Sequence, residues 1–194
     1  MFQYLFKLTK YIPHDVKKTI YDIDYEYYQK EGKKVLLFDI DNTVGPYSKD
    51  EPNEDAINLF KRLQSLGFRT IVWSNNHAPR VSRYASFLNS DYIYSAHKPF
   101  KSGFKKYMRQ NGKIDPAICL SIGDQLMTDV LLSNRLGIDC ILVKPIERKD
   151  EKWYTRASRR MADSVMRRLK KKYPVNYYLI RSIVYQLSKT VVAA

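Results

Sequence analysis

Apolar positions in this chain follow two patterns, short unbroken runs and longer stretches that recur every three or four residues. The run Val35-Leu36-Leu37-Phe38 has the length and composition of a strand covered on both faces, since a half-exposed strand would alternate with polar residues. The segments 68–73, 92–94, 117–122 and 138–143 read as further strands. Helical spacing fills the intervals. Ala56, Leu59, Phe60 and Leu63 mark a helix over 54–66 that stops at Gly67, and Pro79 opens another through Val81, Ala85 and Leu88. A basic helix is predicted around 104–109, and one over 128–136 ends at Gly137. Val16, Ile20, Ile23 and Tyr27 predict an N-terminal amphipathic helix over 15–29, capped by Asp15 and closed by Gly32.

Five strands alternating with helices imply an α/β fold, a doubly wound parallel sheet whose site lies at the strand carboxyl ends. The alternation stops after Pro145, where Trp153, Ala157, Met161, Val165 and Leu169 recur every four residues among arginines. Ile180, Ile183, Val184 and Leu187 predict a last helix over 177–192. The organisation read from these shifts is an N-terminal amphipathic extension over 1–32, an α/β core over 33–147 and a basic amphipathic helical tail over 148–194.

At 194 residues the chain suits one sizeable α/β domain with extensions. No segment approaches the roughly 20 apolar residues that span a bilayer, and the start lacks the marks of a secretory signal. Cys119 and Cys140 sit in separate apolar runs, away from histidines, and read as buried reduced thiols of a cytoplasmic protein. Charge adds a partner. The net charge is +14, and 148–172 alone holds eleven Lys/Arg against Asp150, Glu151 and Asp163, which predicts an anionic surface or a nucleic acid as partner.

The chemistry-bearing residues stand at strand ends. Asp39 and Asp41 follow the first unbroken run and project to the same side of an extended segment, so their repulsion calls for a cation, best a hard, oxygen-seeking Mg²⁺. Thr43 follows in Asp39-Ile40-Asp41-Asn42-Thr43; Ser74 and Asn75 follow the second strand; Lys98 lies beyond the third; Asp124 and Asp129 follow the fourth in Gly123-Asp124-Gln125-Leu126-Met127-Thr128-Asp129.

In this order the four motifs resemble the haloacid dehalogenase (HAD) superfamily of phosphotransferases over 35–143, with every required residue type present. The resemblance implies a HAD-like Rossmannoid sheet, with Asp39 as nucleophile forming an aspartyl-phosphate and Asp41 as general acid and base. It further implies Mg²⁺ bound by the Asp39 carboxylate, the Asp41 backbone carbonyl and Asp124, supported by Asp129. Thr43, Ser74 and Asn75 would hold phosphoryl oxygens, and Lys98 would offset charge on the phosphorylated aspartate. A phosphorelay receiver also surrounds an aspartate with acids and a lysine, but it releases no alcohol and does not need Asp41.

Neither the short loop after Thr43 nor the interval from Asn75 to Lys98 can hold a cap domain, so the site is open to bulky substrates. Ile20-Tyr21-Asp22-Ile23-Asp24, His97-Lys98-Pro99 and the Gly123–Asp129 motif are similar to the YqeG family of uncapped subclass III, itself similar to phosphatases of phosphatidylglycerophosphate. The amphipathic basic tail, whose apolar stripe fits either the protein's own core or an anionic bilayer, predicts a peripheral position on the inner face of a membrane, and the resemblance implies hydrolysis of phosphatidylglycerophosphate to phosphatidylglycerol. It implies no haem, nucleotide or zinc cofactor. The competing expectations are a nucleic-acid- or ribosome-associated basic protein with a regulatory or vestigial site, and an open-site phosphatase of nucleic-acid ends or proteins.

Overall fold

Six parallel strands form one sheet: β1 (Asp15–Lys17), β2 (Val35–Phe38), β3 (Arg69–Trp73), β4 (Asp91–Ile93), β5 (Cys119–Gly123) and β6 (Asp139–Val143), in the order β1-β6-β5-β2-β3-β4. This is a computed structural model, and it describes residues 6–147 and 153–184. β2 is central, paired with β3 on one side and β5 on the other, and all four of its residues are buried. Its unbroken apolar run has a simple cause. Leu36 and Phe38 enter one core with the helices α1 (Tyr25–Lys30), α2 (Glu54–Ser65) and α3 (Ala78–Phe87), while Val35 and Leu37 enter another beneath α4 (Ser102–Asn111) and α5 (Leu131–Leu136). The four helices predicted between the strands are present, each within a few residues of its expected bounds.

The N-terminal segment departs from the reading of one long helix over 15–29. Asp15–Lys17 is instead the edge strand β1, with Val16 opposite Leu142 of β6; a one-turn 3₁₀ helix (Ile20–Asp22) and the short α1 follow. Caps divide the segment. Thr19 and Asp22 form a capping box around the 3₁₀ turn, and the Asp24 side chain accepts the Tyr27 N–H at the start of α1. Val16, Ile20 and Ile23 are buried, but Tyr27 is half exposed, so their spacing reports burial along a broken path rather than one helix face.

A third core extends the sheet's cover over β6 and β1. There α6 (Trp153–Lys172) and α7 (Pro174–Val184) pack Ala162, Val165, Met166, Leu169 and Ile180 against Leu8, Tyr11, Val16, Cys140 and Leu142. The apolar stripe of the tail therefore faces the protein, and Arg160, Arg167, Lys170, Lys171 and Lys172 face outward. The predicted stripe residue Trp153 starts α6, while its side chain, Phe2, Leu5 and positions 185–192 of the last predicted helix lie outside the described residues. Both cysteines are free and buried, and burial pushes each thiol up to about 12. Among the described residues no helix is long and apolar enough to cross a membrane.

The sheet order fixes where a ligand can sit. From β2 the chain runs outward to β3 and β4, then crosses back to β5 and β6, so the β2 and β5 carboxyl ends flank the switch point at which open α/β sheets bind ligands.

Candidate active site

Asp39 leaves β2 at this switch point, its N–H donating to the Ile122 carbonyl of β5 at 2.9 Å. The chain then turns tightly. The Ile40 carbonyl accepts the N–H groups of Thr43, Val44 and Gly45, and Asn42 takes the left-handed conformation (φ 65°), which asparagine tolerates better than most residues. Lys98, beyond β4, reaches back under the sheet end. Its Nζ donates to Asp39 Oδ1 at 2.5 Å, Asp129 Oδ1 at 2.6 Å and the Trp73 carbonyl at 3.0 Å, and its side chain is 3% exposed. Asn75 fixes the Lys98 backbone, donating to its carbonyl at 3.1 Å and accepting its N–H at 2.7 Å.

Asp129 is locked at both oxygens: Oδ1 by Lys98, and Oδ2 by the Gln125 N–H at 3.1 Å and the Thr128 hydroxyl. It sits in a π-helical turn (Leu126–Val130) that leads into α5. Gly123 makes room for it. A β-carbon on Gly123 would lie 2.4 Å from Asp129 Cγ, so the side chain or the strand end must move. Gly123→Ala is expected to lower stability by about 1–3 kcal/mol through overpacking, and to lower activity as Asp129 and Lys98 shift. Thermal unfolding and turnover measured on the same variant check this.

Asp39, Asp124 and Asp129 are all buried, and each offers an oxygen within 4.8 Å of those of the other two. Burial drives the Asp39 carboxyl well above the ordinary carboxylate range; Lys98 pulls it down, and Asp129, Asp124 and Asp41 push it up. Burial opposes the charge on Lys98, but Asp129 and Asp39 outweigh it and raise the lysine above its usual value. A close set of hard carboxylate oxygens fits a divalent cation such as Mg²⁺. Asp41 stands outside this cluster. Its carboxylate accepts from Arg80 Nη2 at 3.0 Å, Asn76 Nδ2 at 2.7 Å and the Ser74 hydroxyl at 3.4 Å.

These groups open into a crevice of about 240 Å³ lined by Asp39, Asp41, Ser74, Asn75 and Lys98, with Thr155, Ser158 and Met161 of α6 on its far wall. Thr43, Asp124 and Asp129 are buried and are not among the residues that line it, and the Thr43 hydroxyl makes no hydrogen bond among the described residues. The structure thus brings Asp39, Asp41, Ser74, Asn75 and Lys98 to one crevice and joins Asp124 and Asp129 to Asp39 in one buried acidic cluster.

The family model described as "Mitochondrial PGP phosphatase" matches residues 1–147. The chain belongs to this family. It is 32% identical over 162 residues, 84% of its length and 93% of the relative's, to the Bacillus subtilis (strain 168) protein named "Probable phosphatase YqeG". It is 26% identical to the Arabidopsis thaliana "Phosphatidylglycerophosphate phosphatase 1, chloroplastic/mitochondrial" across 89% of this chain, and spans 52% of that longer protein. Among solved structures, 3-deoxy-D-manno-octulosonate 8-phosphate phosphatase from Moraxella catarrhalis, in complex with magnesium ion, phosphate ion and KDO, is 15% identical over 80% of this chain and 99% of its own, with a TM-score of 0.44. The corresponding cobalt-bound enzyme from Haemophilus influenzae is 16% identical over 71% of this chain and 89% of its own, with a TM-score of 0.46.

As a PGP phosphatase family member the chain is a HAD-type phosphatase. Three polar contacts of its site were not singled out from sequence. Asn76 and Arg80 grip Asp41, and Arg159 of α6 donates to Asp124 Oδ2 at 2.6 Å. Asn76 directly follows Ser74 and Asn75, so its position was a usable signal. Arg80 reads as the polar face of an amphipathic helix, and Arg159 as one of many tail arginines; neither had a distinguishing pattern.

Proposed function

We propose that this phosphatase is a Mg²⁺-dependent phosphomonoester hydrolase that works through an aspartyl-phosphate on Asp39 and acts on phosphatidylglycerophosphate. The observation that carries the reading is the convergence of Asp39 and Asp41 on one open crevice, with Lys98 ion-paired to Asp39 and Arg80 to Asp41. Asp39 Oδ attacks phosphorus while Asp41 donates a proton to the departing alcohol oxygen; Asp41 then takes a proton from the water that cleaves the acyl-phosphate. Arg80, Asn76 and Ser74 hold the Asp41 carboxylate for this exchange. Lys98 offsets charge on the phosphorylated Asp39, and Thr43, Ser74 and the backbone amides near Asn42 and Asn75 hold phosphoryl oxygens. The residues that would hold Mg²⁺ are Asp39, the backbone of Asp41 and Asp124, with Asp129 behind them; when bound, the ion keeps Asp39 ionised and neutralises phosphoryl charge.

The lipid reading draws on the Arabidopsis relative's name and on the outer surface. Val175, Tyr178 and Leu179 of α7 are exposed beside Lys170, Lys171 and Lys172, an apolar and basic combination suited to a peripheral position on an anionic membrane. We assign 1–32 to an N-terminal amphipathic extension, 33–147 to the catalytic core and 148–194 to a basic amphipathic helical tail.

Phosphate release with Mg²⁺ should be faster from phosphatidylglycerophosphate in mixed micelles than from a phosphorylated oligonucleotide, phosphopeptide or sugar phosphate, and should stop on chelation and return with Mg²⁺. A preference for the oligonucleotide or peptide overturns the lipid assignment, and release that survives chelation overturns the metal.

A further inference from the structure

Neither the loop from Thr43 to α2 nor the stretch from Asn75 to Lys98, which holds α3 and β4, contains an inserted domain. The crevice is walled nonetheless. Thr155, Ser158 and Met161 line it from α6, a helix that lies beyond the family-matched residues 1–147, and Gln125 and Met127 line it from the end of β5 and the turn that follows. Neither the Thr155 and Ser158 hydroxyls nor the Gln125 side-chain amide has a hydrogen-bond partner among the described residues. Ser158 is only 9% exposed. A hydroxyl so deeply placed is costly to leave unpaired, and its partner is a group that enters the crevice. Gln125 and Ser158 also share the wall of a second, much smaller recess, which makes them neighbours across the contact between the two elements.

The remaining lining groups define what that partner can be. Among the described residues the charged side chains that line the crevice are Asp39, Asp41 and Lys98, and each is engaged in the chemistry, Asp39 with Lys98 and Asp41 with Arg80. None is left to recognise a second phosphate or an ammonium group in the crevice. The α6 side offers neutral hydrogen-bonding groups and the apolar surface of Met127 and Met161, a lining suited to an uncharged carbon chain that bears hydroxyls. With phosphorus at Asp39 and the departing oxygen at Asp41, the part of a substrate that meets this lining is its leaving alcohol.

We propose that α6 serves in place of a cap, and that Thr155, Ser158 and Gln125 form a specificity wall that selects phosphate monoesters whose leaving alcohol is a short, uncharged polyol. In phosphatidylglycerophosphate that alcohol is the glycerol next to the terminal phosphate. The wall rests on the phosphatase mechanism above and adds to it the residues that choose the leaving group.

Glycerol 3-phosphate and n-propyl phosphate differ only in two hydroxyls, so the ratio of their kcat/KM values reads the wall directly. The parent should favour glycerol 3-phosphate, because a site built to bond hydroxyls rejects an analogue that lacks them. The double variant Thr155→Val/Ser158→Ala should lower that ratio by roughly 10-fold or more, the scale of two neutral hydrogen bonds, and Gln125→Leu, on a different element, should lower it by about 2–10-fold. Arg160→Ala, exposed on the same helix, should keep the parent's ratio. A parent ratio near one, or a ratio that neither variant moves while both activities fall together, would overturn the proposal and leave α6 a structural contact. The same ratio taken from Kd values by calorimetry needs no turnover. A protein that prefers glycerol 3-phosphate in binding yet releases no phosphate therefore defeats the mechanism alone, and one that cleaves glycerol 3-phosphate but not the lipid defeats the lipid assignment alone.

Discussion

Asp39→Asn is expected to lower phosphate release by at least about 10³-fold, the scale of losing the nucleophile of a covalent mechanism, while the protein stays folded. The substitution is isosteric and removes one negative charge from a buried site where Asp39, Asp124 and Asp129 crowd one another. Burial and those neighbouring acids already disfavour the Asp39 carboxylate, so its loss relieves repulsion even as it weakens the Lys98 ion pair. The thermal midpoint of Asp39→Asn should therefore lie near the parent's or above it. An inactive variant with an unchanged fold separates chemistry from stability, and the pair of measurements on one preparation decides it.

Lys98→Met should damage both activity and stability. The lysine is the cation shared by Asp39 and Asp129, and removing it leaves two buried carboxylates without their partner, a loss of about 3–5 kcal/mol. Its hydrogen bond to the Trp73 carbonyl at the end of β3 also disappears. Chemical denaturation should show the stability loss, and phosphate release should fall to background because nothing offsets charge on the phosphorylated Asp39. Combining Lys98→Met with Asp129→Asn should recover part of the stability and none of the activity. Recovery of activity would mean that Lys98 only balances Asp129.

The sheet was legible wherever burial on both faces forced an unbroken apolar run, as in Val35–Phe38. It was not legible at β1, three residues long at the sheet edge, where the buried Val16, Ile20 and Ile23 mimic a helix face. The separation of strand from helix there depends on pairing with β6, a contact more than a hundred residues away in sequence that local pattern does not encode. The site divides the same way. Asp39, Asp41, Ser74, Lys98 and Asp124 follow strands, so the alternation of elements located them. Arg80 and Arg159 sit on helices whose polar faces carry several arginines, and only the packing of α3 and α6 selects the ones that turn inward. The tail was legible as amphipathic, but not as to which body its stripe covers. Ala162, Val165, Met166 and Leu169 cover β6 and β1, leaving the exposed face of α7 and the outer lysines for any surface contact.

The most direct test of the account is to trap the intermediate. Parent protein turning over a phosphoryl-labelled substrate with Mg²⁺ is quenched in acid and its peptides are mapped. Label on the peptide containing Asp39, absent in Asp39→Asn and lost on brief exposure to base, is the predicted result. Steady phosphate release by the parent with label on another residue, or undiminished release by Asp39→Asn, would contradict it.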